Sequence, residues 1–384
     1  MTLSRLFPAL LALAIFAAFV FYLPARDALG RPLPLSMLLG GVFGIVLQRS
    51  RFCFWCISAD WFRNRDPRGF LGILAALAVG SIGYTLILGA WLPDPFSGRL
   101  PPDAHVGPVS VALVLGAFAF GLGMALSGSC ISAHIYRLGE GAFGSIVALI
   151  GALAGFMVGF LSWNSLYLWQ GYAARPLWLP GWLGHGGALA VQLAVLAGLA
   201  GYLIWRYVPR SPETVLPFTA IFQRRWPAWV GGLLVGFIAT LAYVRVGPLG
   251  VTAELGSVAR TAASGAGLLP ETLYGLDGLA GCATVIKETV PSRNGVFVLG
   301  ILFGSFASAR VAGDWQPALP KPTELPRLFL GGVLLGWGAM VALGCTVGVI
   351  LSGIMVGAVS GWVFTAFCLL GAWIGWHLRQ RMTW

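Results

Sequence analysis

Three short segments each place a cysteine in apolar sequence beside arginine or glycine. They read LQRSRFCFWC from Leu47 to Cys56, GLGMALSGSC ending at Cys130, and GWGAMVALGC ending at Cys345. A neutral thiol offers a weak S–H donor and a polarisable sulfur atom. These contacts suit a large, soft sulfur anion better than phosphate, and weak donors also suit transport because each site must release what it binds. The segments therefore predict a pathway for a sulfur-containing anion.

Glycine stands directly before or close before two of these cysteines. Gly128 lies two residues before Cys130, and Gly344 immediately precedes Cys345. A helix that breaks at such a glycine leaves free backbone N–H groups at the start of the next half-helix, and these groups attract anions. Tight helix packing is the alternative explanation for both the glycines and the buried thiols.

Arg51 precedes the first motif cysteine and is a candidate guide for an anion, although an anchor in an inside loop explains it equally well. The candidate site residues are Cys53, Cys130, Cys345, Arg51, Gly128 and Gly344.

The composition is that of a protein embedded in lipid. Of 384 residues, 58% are apolar and only 10% are charged, whereas about a quarter of a soluble domain is charged. The net charge of +11 comes from basic residues scattered between apolar segments, without the aromatic–basic modules of nucleic-acid-binding proteins. The sequence predicts a membrane protein surrounded by lipids, with no nucleic-acid partner and no cofactor or resident metal.

Apolar stretches of roughly 20 residues predict an all-α polytopic protein with about ten spanning or partly spanning helices. Several stretches end at glycine and continue into further apolar sequence, which is typical of broken or re-entrant helices. The predicted spans cover approximately residues 6–23, 35–48, 69–92, 109–127, 143–162, 186–207, 228–245, 294–312, 327–343 and 354–377. With the amino terminus inside, most of the 24 basic residues lie on the same side, which favours both termini in the cytoplasm.

The sequence also repeats itself. GGVFGIVL from Gly40 resembles GGLLVGFI from Gly231, and Gly69 matches Gly295 within a second pair of similar segments. In that pair Cys56 matches Cys282, and in a third pair Cys130 matches Cys345. A thiol retained at the same point of both copies is hard to explain by packing alone.

If each copy crosses the membrane about five times, an odd number, the two copies are inverted and the substrate site lies near the midplane between them. We therefore expect Cys130 and Cys345 close together near the centre of the membrane. The predicted organisation is an N-terminal transmembrane helix (1–34), a first half (35–207, motifs at 47–56 and 121–141), a connecting loop (208–227) and a second half (228–384, motifs at 275–295 and 336–353).

The three motifs, in this order and with YRLGEG at Tyr136–Gly141, resemble the YeeE/YedE family of sulfur-compound transporters over about residues 40–373. The resemblance implies thiosulfate uptake through the bacterial inner membrane for cysteine synthesis. It also implies a relay by Cys53, Cys130 and Cys345, with a cytosolic sulfur-carrier protein as a natural partner. This chain departs from the family's usual second motif, because Ser129 replaces a glycine and His134 is unusual there.

Two other classes of function stay open. Cys53 and Cys56 form a C-x-x-C motif, which is typical of thiol-disulfide oxidoreductases; an equal loss of function on replacing either cysteine would favour that enzyme. The repeat places single cysteines at helix breaks, and a simple oxidoreductase has no use for an inverted frame of ten spans. The sequence therefore favours a transporter over an enzyme. Selenium-linked relatives share the fold, so a selenium compound is the alternative substrate. A soft-metal permease is disfavoured because no Met-rich or His–Cys chelating run is present.

Overall fold

The structure is a computed structural model of the protein that describes residues 3–27, 30–171, 174–207, 223–270, 272–276, 286 and 292–381. Within these ranges the regular structure is helical, and β-pairing is limited to isolated bridges. The α-helices are α1 (Leu3–Tyr22), α2 (Leu33–Ser50), α3 (Phe54–Asn64), α4 (Arg68–Trp91), α5 (Val111–Ser127), α6 (Ile131–Gly139), α7 (Gly144–Leu166), α8 (Pro180–Trp205), α9 (Ala228–Arg245), α10 (Val251–Gly265), α11 (Arg293–Ala312), α12 (Leu325–Val341) and α13 (Val359–Arg381).

The helices confirm the predicted class of protein. In the described part of the chain, 9 helical stretches are long and apolar enough to cross a membrane, and the shorter apolar helix Phe7–Tyr22 makes a further candidate. Two of the stretches contain a break, because α3 continues α2 and α6 continues α5. The protein is therefore an all-α polytopic membrane protein. Most of the predicted 275–295 motif, including Cys282, lies outside the described residues.

The helix ends fall on two opposite faces. The C-terminal ends of α2, α5 and α13 and the N-terminal ends of α4, α7, α9 and α12 all line one large cavity, which we call the vestibule. The N-terminal end of α5 and the C-terminal end of α12 line a smaller cavity, which we call the opposite cavity. Because α5 and α12 pack together along their length, these two cavities lie at opposite ends of one helix pair.

The main helix pairs follow a regular pattern. Helix α2 packs on α11, α4 on α9, α5 on both α12 and α13, and α7 on α12. In the sequence repeat, α2 is equivalent to α9, α4 to α11, and α5 to α12. The packed pair α2–α11 in one arrangement of the copies therefore corresponds to the packed pair α9–α4 in the other. Equivalent helices also run in opposite directions, since α2 ends at the vestibule and α9 begins there. The inverted repeat stays a prediction, and this packing favours it.

Close approach of the paired helices depends on glycine. A Cβ atom at Gly232 in α9 would overlap the backbone carbonyl of Gly72 in α4, and a Cβ atom at Gly336 in α12 would overlap that of Ala152 in α7. Lipid tails are as apolar as the side chains, so membrane helices associate through close van der Waals packing of small residues. These contacts hold together the scaffold around the broken helices.

We expect Gly336→Leu to prevent normal folding, because its side chain has no room against the α7 backbone and overpacking of this kind costs about 1–3 kcal/mol or more. Size-exclusion chromatography and thermal melting of the detergent-solubilised protein provide the measurement. Gly198→Leu in α8 is the matched control, because no atom lies within 4 Å of an added Cβ there. A monodisperse Gly336→Leu protein with the parental melting temperature would contradict the close-packing role.

Candidate functional site

The three motif cysteines share one structural position. Cys53 is the N-cap of α3, Cys130 is the N-cap of α6, and Cys345 is the N-cap of the π-helical segment Thr346–Gly353. The first N–H groups of a helix have no partner within the helix, and the helix dipole favours negative charge at this end. Each thiol therefore lies beside a helix terminus that attracts anions.

Left-handed backbone produces the breaks that precede these cysteines. Helix α5 ends at Gly128, which has φ +88°, a conformation that glycine adopts without the steric cost of a side chain. Helix α2 ends at Arg51, which has φ +49°. After α12, Leu343 has φ +57° and is followed by Gly344, so the chain turns before Cys345 and starts the π-helical segment.

Cys53 and Cys130 lie side by side in the interior. The Cys53 thiol interacts with the Cys130 and Cys56 thiols, and the Cys56 backbone nitrogen lies 3.4 Å from the Cys53 sulfur. The Cys130 sulfur lies 3.4 Å from the Ser132 hydroxyl oxygen. The first two motifs thus form one buried cluster of thiols.

Cys345 is buried and interacts with this cluster through Cys130. Its thiol interacts with the side chain of Thr252, at the start of α10. It interacts electrostatically with Cys130, whereas the direct thiol neighbour of Cys130 is Cys53. Electrostatic interactions thus link Cys56 and Cys53 to Cys130, and Cys130 to Cys345, and we call these four thiols the thiol row.

The thiol row lies between the vestibule and the opposite cavity. Cys56 is half-buried and lines the vestibule, whose volume is about 940 Å³. Leu343 and Val349, on either side of Cys345 in the chain, line the opposite cavity, whose volume is about 110 Å³. His105 also lines the opposite cavity, where burial lowers its pKa to about 4 and keeps its side chain neutral at physiological pH.

The vestibule is strongly basic. Arginine side chains outnumber acidic ones along its wall two to one, so its interior carries a positive field that attracts anions. The arginines are Arg51, Arg63, Arg68, Arg137, Arg224, Arg225, Arg327 and Arg379, and the acidic residues are Asp60, Asp66, Glu140 and Glu324.

A buried ion network fixes one wall of the vestibule. The Asp314 carboxylate accepts hydrogen bonds from Arg49 at 3.3 Å and from Gln48 at 3.1 Å, and Arg225 lies 3.6 Å away. Gln48 also donates to Glu140 at 3.2 Å, and burial raises the pKa of the Glu140 carboxyl. The network joins the ends of α2 and α6 to the loop after α11, and thereby holds the two breaks in register.

Several features of the site have no signal in the sequence. Thr252 lies far from Cys345 in the sequence, and only the fold brings the two residues together. Among the described residues, no group of three or more His, Cys, Asp and Glu side chains is arranged to hold a metal ion. The C-x-x-C pair, by contrast, was visible in the sequence, and its continuity with Cys130 was not.

The fold defines a polytopic membrane protein in which broken helices enclose a group of buried thiols. A family model described as sulphur transport matches residues 49–374. The chain belongs to this family, which confirms the resemblance to the YeeE/YedE proteins.

Three relatives illustrate how far the similarity extends. The thiosulfate transporter TsuA of Spirochaeta thermophila is 28% identical over 363 residues, which cover 90% of this chain and 99% of that protein. The thiosulfate transporter TsuA of Escherichia coli is 29% identical over 359 residues, covering 88% and 92%. The probable transporter YedE of Escherichia coli is 29% identical over only 83 residues, or 21% of each chain.

We expect a bulky maleimide reagent to label Cys56 much faster than the buried thiols, because Cys56 is half-buried and lines the vestibule. Peptide mass spectrometry of the folded, detergent-solubilised protein resolves the individual cysteines. Cys368 provides an internal reference for a thiol buried between helices. Labelling of Cys345 as fast as Cys56 would contradict the enclosed position of the thiol row.

Proposed function

We propose that this protein takes up thiosulfate, or a closely related sulfur anion, across the bacterial inner membrane. The observation that carries the proposal is the row of three N-cap cysteines between two cavities on opposite faces. The two TsuA relatives, both named thiosulfate transporters, align with nearly the whole chain and support the same substrate.

The first step is capture from the opposite cavity at Cys345. There the anion exchanges its water for the N–H groups at the start of the π-helical segment and for the Cys345 thiol and Thr252 hydroxyl. Backbone N–H groups at a helix N-terminus hold an anion without any cationic side chain. This absence of full charge keeps the affinity low enough for release.

The second step passes the anion from Cys345 to Cys130 and Cys53. Each thiol donates a weak hydrogen bond, and a typical neutral hydrogen bond contributes only about 0.5–1.5 kcal/mol. The anion therefore moves between sites of similar strength without a deep minimum, and the polarisable sulfur atoms favour a soft sulfur anion over sulfate.

The third step is release into the vestibule. Arg51 and Gly128 line this cavity, and its excess of arginine draws the anion out of the thiol row. Most basic residues lie on this face, so the vestibule opens to the cytoplasm and both termini are cytoplasmic. A cytosolic sulfur-carrier protein would take up the released sulfur and supply cysteine synthesis.

Two alternatives are tested with the same protein. A thiol-disulfide oxidoreductase would use Cys53 and Cys56, which occupy the N-cap and the first turn of α3. The continuity of Cys53 with Cys130 favours transport instead, because a redox pair needs no third thiol. A selenium compound is the alternative cargo, since selenium is also soft and polarisable.

Cys130→Ala and Cys345→Ala should each abolish thiosulfate-dependent growth of a cysteine-requiring strain, because each removes one donor of the row. Cys130→Ser should retain partial growth, since the hydroxyl donates a hydrogen bond but is less polarisable. Cys368→Ala, another buried thiol, is the matched control and should grow normally.

Uptake of labelled thiosulfate should be inhibited by unlabelled thiosulfate and little by sulfate, and stronger inhibition by selenite would indicate the selenium alternative. Normal growth of both alanine variants would remove the relay.

Fusions of a cytoplasm-dependent fluorescent protein and of a periplasm-dependent phosphatase test the orientation. A fusion after Arg381 in α13 should fluoresce, whereas one in the connection between α4 and α5, at Gly98, should show phosphatase activity. The reverse pattern would place the vestibule outside and reverse the proposed direction of uptake.

A further inference from the structure

Three arginines from different helices converge on the C-terminal end of α5. Each donates through its Nη1 atom to a backbone carbonyl oxygen within one turn of the helix end. The bonds run from Arg379 to Ala125 at 3.2 Å, from Arg327 to Leu126 at 3.1 Å and from Arg137 to Gly128 at 3.1 Å. Arg137 also donates to the Ser129 hydroxyl at 2.6 Å, directly before Cys130.

The positive charge at this place exceeds what a helix end requires. A helix C-terminus carries a partial charge of about −0.5, and the Glu324 carboxylate lies 3.6 Å from Arg327. Glu140 also interacts electrostatically with Arg137, and the three guanidinium groups still outweigh these two carboxylates together with the partial charge of the helix end. Each guanidinium has five N–H donors, so most of the donors are not used on α5, and all three side chains line the vestibule.

A buried histidine provides an independent sign of a ligand. His134 is only 3% exposed, lines the same cavity and has no hydrogen-bond partner at Nε2. Its Nδ1 atom lies 3.2 Å from the Ser145 hydroxyl. When the Ser145 hydroxyl donates to Nδ1, the neutral imidazole of His134 carries its proton on Nε2. The Nε2–H group is then a buried hydrogen-bond donor that needs an acceptor.

We propose that Arg137, Arg327, Arg379 and His134 form a binding site for a small divalent oxyanion at the inner end of the vestibule. A planar guanidinium group binds two oxygen atoms of an oxyanion through paired hydrogen bonds. His134 contributes a neutral hydrogen-bond donor. Because Arg137 contacts Ser129, beside Cys130, the site lies next to the thiol row. Its assignment to thiosulfate leaving the row rests on the proposed function, whereas oxyanion binding does not.

The site differs from the thiols in what it recognises. Arginines respond to charge and oxygen geometry, so sulfate binds there about as well as thiosulfate. The thiols favour the soft sulfur atom that sulfate lacks. Sulfate is therefore a probe that reports the arginine site without occupying the thiol row, and sulfate on the vestibule side should slow release of thiosulfate.

The test measures sulfate binding to the purified, detergent-solubilised protein by isothermal titration calorimetry and by the rise in melting temperature, with chloride at equal ionic strength as reference. We expect specific binding of about one sulfate. Arg327→Gln with Arg379→Gln should weaken the dissociation constant by about tenfold or more, the effect of removing a charge-assisted hydrogen bond.

The arginine double variant could fail to fold, because both arginine side chains also cap α5. A second pair of variants therefore tests the site at His134. His134→Leu should weaken sulfate binding several-fold, whereas His134→Gln, which keeps a donor in the same region, should weaken it less. Arg206→Gln, at the exposed end of α8 and outside the vestibule, is the matched control for loss of one positive charge. It should bind sulfate like the parent protein.

Each outcome decides between explanations. No sulfate binding by the parent protein, or equal binding by the parent and the His134→Leu variant, overturns the site. Stabilisation by phosphatidylglycerol vesicles but not by sulfate assigns the arginines to a lipid headgroup and also overturns it. The site and the transport proposal fail separately: Cys130→Ala should lose uptake yet bind sulfate, and a parent protein that binds sulfate but takes up no thiosulfate would refute transport alone.

Discussion

Backbone polar groups cannot be left without partners inside a membrane, and every unusual feature of this protein follows from that constraint. A lipid-facing helix break would expose N–H and C=O groups to hydrocarbon. The breaks after α2, α5 and α12 are therefore enclosed by the other helices, with Cys53, Cys130 and Cys345 buried among them. The glycine contacts between paired helices bring the surrounding backbones close enough to form this enclosure.

The two kinds of helix end are satisfied in chemically different ways. At the three motif cysteines, the N-terminal helix ends present weak hydrogen-bond donors, namely thiols and backbone N–H groups. The C-terminal end of α5 receives three strong cationic donors, and these lie on the vestibule side of the thiols. In the proposed function, the weak, uncharged donors of the interior let an anion move on, and the positive charge of the vestibule attracts it there.

The long-range polar contacts explain why the breaks keep their relative positions. Asp314, in the loop after α11, joins Arg49 at the end of α2 to Arg225 at the start of α9. Gln48 connects the same carboxylate to Glu140, just after α6. An ion pair whose members are partly buried costs desolvation and contributes orientation more than stability.

The sequence by itself determined the class of protein, an approximate number of spans and the breaks at Gly128 and Gly344, because apolar length and glycine act over a few neighbouring residues. It also identified Cys53, Cys130 and Cys345 as the candidate thiols. Only the tertiary structure decided that Thr252 lies at Cys345, that Cys53 lies at Cys130, and that three arginines meet at the end of α5. These contacts join residues far apart in the chain, so they depend on how the helices pack against one another, which no local pattern of residues records.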